Sequence, residues 1–283
     1  MIRFVNKEKS YLNMKDNTCV ICSNAQSYPI CSQCKTDPFL VEEARQKLAK
    51  QKDMSSLKHM YSQKFSEIKD VNTNHFWDDK LNGTQYLSDQ DGLTKDRVKI
   101  ASSYIPKQAI KILDVGAGYG FVEELLEKDD RLKIYGIDIS QEGVQLLSKR
   151  FQGEFKTGIV HKIPYPDKYF DGVLALELLE HIPPSQIFAA YKEIRRVLKD
   201  QGTLIVSVPL NEHLKFKKDN PSGHVREYSP ALIFTELKLA NFTIKHFKLV
   251  FAFRRFYTIK KLLQKILWFK WEPNDIVVQA IKL

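Results

Sequence analysis

The stretch Lys111-Ile-Leu-Asp-Val-Gly-Ala-Gly-Tyr-Gly120 restricts the possible folds of this chain more than any other. Ile110, Ile112, Leu113 and Val115 make a short apolar run closed by glycines. That pattern predicts a strand buried in a parallel sheet. Gly116, Gly118 and Gly120 then alternate ahead of a helical run over residues 121–127. Glycine is required where a strand turns sharply into a helix and the backbone must touch a ligand. The turn alone does not choose the ligand, because dinucleotide enzymes build a similar one.

Three further features narrow the choice. Asp114 lies inside the turn and gives Asp-x-Gly-x-Gly-x-Gly. A second apolar run, Lys133-Ile-Tyr-Gly-Ile-Asp-Ile139, puts Asp138 at the C-terminal end of a strand, facing the crevice of an open sheet. A carboxylate there suits the two hydroxyls of a ribose. No basic cluster follows that would hold a pyrophosphate or a 2′-phosphate. Ordered segments continue: residues 163–176 ending in a strand, Glu177-Leu-Leu-Glu-His-Ile182, and residues 193–209. Together these motifs, over roughly residues 110–283, resemble the class I S-adenosylmethionine (SAM)-dependent methyltransferases.

The resemblance implies an α/β fold with a Rossmann-like seven-stranded sheet. It assigns cofactor binding to Asp114, Gly116, Gly118, Gly120 and Asp138. The family usually carries an acidic residue after the third strand for the adenine amino group, whereas Ile159 stands there in Thr157-Gly-Ile-Val-His161. Adenine then depends on backbone groups and on apolar contacts from Ile139, Ile159 and Val160.

A chain of 283 residues is one large domain, or one with a small appendage. The boundaries read as a zinc module over 1–40, a helical cap or linker over 41–105 and the methyltransferase domain over 106–283. No apolar run is long enough to span a bilayer, and the N-terminus lacks the apolar core of a signal peptide. The expected compartment is therefore the cytoplasm. A net charge of +10 favours anionic partners such as RNA or anionic lipid, although solvated surface lysines produce the same number.

All four cysteines fall in two Cys-x-x-Cys knuckles, Cys19 with Cys22 and Cys31 with Cys34. Four thiolates so spaced predict a structural Zn²⁺ site. Paired disulfides are disfavoured in the cytoplasm. Beyond the knuckles, Tyr61, Phe65, Phe76 and Trp77 are candidates for a lid over the cofactor or for packing of the cap. Residues 72–79 carry loop chemistry. A helix is expected over 93–104, another over 185–198, and a third from Ser229-Pro230 to Asn241. Residues 242–251 and 275–282 are expected to pair as the last two strands.

Methyl transfer from SAM is a displacement at an activated sulfonium, so the protein must mainly orient the acceptor and, for an alcohol, remove its proton. Glu177, Glu180, His181 and His224 are the candidates for that task. Their Glu-x-x-Glu-His spacing resembles ubiquinone-pathway O-methyltransferases and small-RNA 2′-O-methyltransferases, which implies a divalent cation at the active site. Without one, His181 or His224 is the candidate general base.

The expected function is O-methylation of a hydroxyl on a small-molecule, glycan or lipid-linked acceptor. RNA methylation, with the zinc module and basic surface gripping phosphates, is the alternative. A SAM-binding scaffold without catalysis is a third. The lack of an Asn-Pro-Pro-Tyr-type segment disfavours N-methylation of bases. Residues 254–271 combine lysines and arginines with aromatic and aliphatic residues at helical spacing, and they read as an interfacial helix for an anionic membrane.

Overall fold

The computed structural model describes residues 50, 52–58, 61, 70–81, 92–212, 220–251 and 272–283. The chain divides into two compact units, Met1–Ser56 and Leu57–Leu283. The four cysteines, Phe65 and the 254–271 segment lie outside the described residues, and in the first unit these are residues 50 and 52–56, all helical.

In the second unit the elements run α1 (Asn74–Leu81), α2 (Gly92–Ser103), β1 (Lys111–Val115), α3 (Glu123–Leu126), β2 (Lys133–Asp138), α4 (Gln141–Arg150) and β3 (Glu154–Thr157). They continue with β4 (Phe170–Leu176), a single 3₁₀ turn (Leu179–His181), α5 (Ile187–Val197), β5 (Leu198–Pro209), α6 (Pro230–Leu239), β6 (Phe242–Val250) and β7 (Asp275–Lys282). The strands form one seven-stranded sheet in the order β3-β2-β1-β4-β5-β7-β6. β1 pairs parallel with both β2 and β4, and β7 runs antiparallel between β5 and β6. The order therefore reverses direction beside β1, where open α/β sheets take their ligands.

Both faces of this sheet are covered, which is why its central strands read as nearly continuous apolar runs. Leu113, Val173, Leu204, Val206 and Val278 point to one face, where α5 brings Ile187, Ala190 and Ile194 and α6 brings Ile233 and Leu237. Ile112, Leu174, Ile205 and Val277 point to the other, beneath Val98 and Ala101 of α2 and Leu126 of α3. Burial of each such aliphatic side chain contributes about 1.5–3 kcal/mol.

Helix ends follow their sequence signals. Ser140 caps α4 by accepting a hydrogen bond from Gly143 N at 2.9 Å. Ser229 caps α6 by accepting from Leu232 N, with Pro230 in the first turn. Asn241, at φ 57°, ends the passage into β6 in the left-handed region.

Two expectations change. Residues 74–81 are helical instead of loop, because Thr73 Oγ1 accepts from Phe76 N at 3.2 Å and caps the start. The far end is anchored where Tyr119 donates to the Lys80 carbonyl at 2.5 Å. The run after the glycines shrinks to the four residues of α3. Among the described residues no helix is long and apolar enough to cross a membrane.

Candidate active site

The glycine turn is built by backbone hydrogen bonds between β1 and β2. Gly116 N donates to Ile137 O at 2.8 Å. Gly118 N donates to Asp138 Oδ2 and Ser140 N to Asp138 Oδ1, both at 2.8 Å. Asp138 thus braces the turn and keeps a second lone pair on each oxygen. Gly118, at φ 51°, would bring a Cβ no nearer than 3.9 Å to its one neighbour, Gly116 O, so a ligand can approach its backbone. Gly120 has another reason to be glycine. A Cβ there would lie 2.3 Å from Phe151 Cε2 and 2.7 Å from Leu147 Cδ2.

A cavity of about 510 Å³ opens against this turn. Asp114, Gly116, Gly118, Asp138, Ile139, Ile159 and Val160 all line it, whereas Gly120 packs behind it. Trp77 of α1 lines the cavity as well. Phe76 stacks edge-on against Trp77, with ring centroids 5.2 Å apart. Tyr61 is instead a core group whose hydroxyl donates to Glu236 Oε1 at 2.5 Å.

At the C-terminal end of β4 the chain makes a tight turn with Glu177 at φ 52°, a strained value for a side-chain-bearing residue. Ser207 of β5 holds it by accepting from Glu177 N at 3.1 Å and donating to Glu177 Oε1 at 2.9 Å. Glu177 Oε2 also meets Arg97 at 3.0 Å, and Arg97 meets Asp275 Oδ2 at 2.9 Å. Arg97 is the one permanently positive side chain among the described residues of the cavity wall, and two carboxylates already hold it.

The 3₁₀ turn presents Glu180 and His181, and the segment before α6 presents His224. Glu180 is fully buried, and neither carboxyl oxygen has a hydrogen-bond partner. Burial first, then the charge of Glu177, pushes it well above the usual carboxylate range. His181 Nδ1 lies 3.1 Å from Gly223 O. A carbonyl only accepts, so Nδ1 carries the proton and Nε2 keeps a lone pair. Burial and then His224 push His181 down to about 3, so it is neutral at physiological pH. His224 Nδ1 sits 2.8 and 2.9 Å from the two oxygens of Glu212, which fixes the same tautomer. One ligand atom from each of Glu180, His181 and His224 lies within 4.8 Å of the others. The two imidazole rings meet edge to face at 4.8 Å.

The four predicted catalytic residues therefore gather at one end of the cavity but are not equivalent. Glu177 and His181 line it, while Glu180 and His224 stand behind them. Reading of the sequence missed Arg97, Asp275 and Glu212, because no local spacing links them to the motifs. It also missed Asn72, whose Nδ2 donates to Gly223 O at 2.8 Å and His181 O at 3.2 Å.

Residues 113–206 match the family model of a methyltransferase domain. The chain is 31% identical over 115 residues to the demethylmenaquinone methyltransferase of Thermotoga maritima, covering 40% of this chain and 49% of that one. It thus spans about half the length of that relative. With the ubiquinone biosynthesis O-methyltransferase of Pelagibacter ubique it shares 29% identity over 175 residues, 57% of this chain and 69% of that one. In fold it matches a SAM-dependent methyltransferase from Archaeoglobus fulgidus at a TM-score of 0.53, with 20% identity over 74% of this chain and 99% of that one. The ordered motifs, the sheet built around them and these matches agree: the chain belongs to the class I SAM-dependent methyltransferases.

Proposed function

We propose that this protein transfers the methyl group of SAM to a hydroxyl oxygen of an uncharged small-molecule or lipid-linked acceptor, assisted by a divalent cation. The observation that carries this is the convergence of Glu180, His181 and His224, with one possible ligand atom from each within 4.8 Å of the others and a buried Glu180 carboxyl group that has no hydrogen-bond partner. These donors fit a divalent ion, since each histidine has its Nδ1–H tied down, by Gly223 O and by Glu212. A cation held there would acidify a hydroxyl and make a strong base unnecessary. That suits a site whose His181 is too weakly basic to take the proton alone.

Asp138 would hold the ribose, and Ile139, Ile159 and Val160, which line the same cavity, would contact the adenine. Trp77 would exclude water from the acceptor end. The acceptor end offers carboxylates and imidazoles but, among the described residues, no unengaged cation, which disfavours a phosphate-rich substrate. The two named relatives are a demethylmenaquinone methyltransferase and a ubiquinone biosynthesis O-methyltransferase, which supports a small or lipid-like acceptor.

The test is transfer of labelled methyl from SAM into an extract fractionated into RNA, lipid and soluble metabolites, with and without a chelator. We expect an O-methylated product in the lipid or metabolite fraction, lost with chelator and restored by Mg²⁺ or Mn²⁺. Label confined to RNA would overturn the acceptor class. Label indifferent to chelator would overturn the cation.

A further inference from the structure

One side chain on the segment leading into α1 reaches the acceptor end of the cavity. Asn72 Nδ2 donates to Gly223 O at 2.8 Å and to His181 O at 3.2 Å, 151 and 109 residues away along the chain. It donates to Asp70 Oδ1 at 2.9 Å as well, and the same oxygen accepts from Asn72 N at 3.0 Å. Three oxygen acceptors surround that corner of the amide, so the nitrogen must face them, with its two hydrogens shared among the three.

Gly223 is the residue this arrangement holds. It sits at φ 76°, where a Cβ would lie 2.8 Å from Asn72 Oδ1, 3.1 Å from Phe76 Cε1 and 3.3 Å from His181 Nδ1. Glycine fits that space, but it also lets the adjoining peptide rotate easily. The Gly223 carbonyl faces His181 Nδ1 at 3.1 Å, so its two lone pairs meet two donors, Asn72 and His181. Trp77 and His224 pack edge to face on the His181 ring, each with its centroid 4.8 Å away. Those contacts hold the plane of the ring. They do not decide which nitrogen carries the proton.

We propose that Asn72 is a positioning residue that locks the Gly223 carbonyl onto His181, and so keeps the Nε2 lone pair of His181 turned toward Glu180 and His224. The hydrogen bond at one imidazole nitrogen sets the state of the other. Without the Asn72 amide, the carbonyl keeps a single donor beside a glycine hinge and can turn away. The ring then moves toward the tautomer with its proton on Nε2, which has no lone pair there to offer. The use made of that lone pair rests on the cation proposed above, whereas the lock does not.

The experiment is proton–nitrogen correlation NMR on the full chain with ¹⁵N-labelled histidine, free of metal and well above the usual imidazole titration range. His181→Ala assigns the His181 signals. Wild type should show His181 with its proton on Nδ1. Asn72→Ala, and Asn72→Leu, which keeps the bulk but not the donor, should move a large share of it to Nε2. Signals of histidines away from the site, such as His246 on β6, should stay in place, which a general loosening of the fold would not allow. Calorimetric titration with Mn²⁺ is the second readout, and both variants should bind about 10–100-fold more weakly, as when a partner behind a metal ligand is lost. A proton already on Nε2 in wild type, or an unchanged Nδ1 pattern in both variants, overturns the lock. A shifted tautomer with Mn²⁺ binding absent from wild type, or unchanged in the variants, upholds the lock and overturns the cation role of His181.

Discussion

Asp114 and Glu123 write a pH dependence into the stability of the folded chain. In the unfolded chain an aspartate titrates near 4, whereas burial holds Asp114 at about 7 in the native state. Between those values the native state binds more protons than the unfolded one, so stability falls as pH rises from about 4 to about 7. The loss is of the order of a few kcal/mol. Urea unfolding across this range should therefore show Asp114→Asn losing less stability with rising pH than wild type does; parallel curves would contradict the raised titration of Asp114. Asp114 and Asp138 were legible in the sequence, because a strand end followed by a glycine turn fixes where such carboxylates point. Arg97 was not, since its role depends on Asp275, 178 residues away along the chain. Glu177 was chosen for its spacing, yet its carboxylate is engaged by Ser207 and Arg97.

Between elements, Arg226 and Glu236 form an ion pair with both side chains fully buried and N–O at 2.6 Å. Tyr61, Tyr191 and Tyr228 complete the carboxylate's hydrogen bonds. Arg226 also donates to Leu179 O at 2.7 Å, directly before Glu180 and His181, so the joint ties α6 to the floor of the site. Arg226→Met leaves a buried carboxylate without its counter-charge and should cost about 3–5 kcal/mol. Arg226→Met with Glu236→Leu should recover most of that. Denaturant midpoints of the two variants check this, and equal losses would show that the ion pair is not what matters. Most elements were legible to within a few residues, since periodicity and the Ser229-Pro230 and Asn241 signals survive folding. Helix α1 was not, because Asn74-His-Phe-Trp-Asp-Asp79 has weak helical pattern and owes its form to Thr73 and to the contact with Tyr119.

At the scale of the whole molecule, net charge and site charge point in different directions. The chain carries +10, yet the described cavity wall offers Arg97 alone against Asp70, Asp114, Asp138 and Glu177. A positively charged chain therefore presents a crevice of the opposite sign, which would suit the cationic cofactor and the uncharged acceptor proposed above. A Rossmann-like seven-stranded sheet was expected through the resemblance that the motifs carry, whereas its strand order is read from the structure. Cys19, Cys22, Cys31 and Cys34 and the 254–271 segment lie outside the described residues, and their predicted zinc and membrane contacts stay proposals. The cofactor pocket is the central claim, and calorimetric titration of S-adenosylhomocysteine into wild type and Asp138→Ala tests it most directly. Wild type should bind one ligand per chain, and loss of the Asp138 carboxylate should weaken binding by about 1.5–3 kcal/mol. Equal affinity in the two proteins, or no binding to wild type, would contradict it.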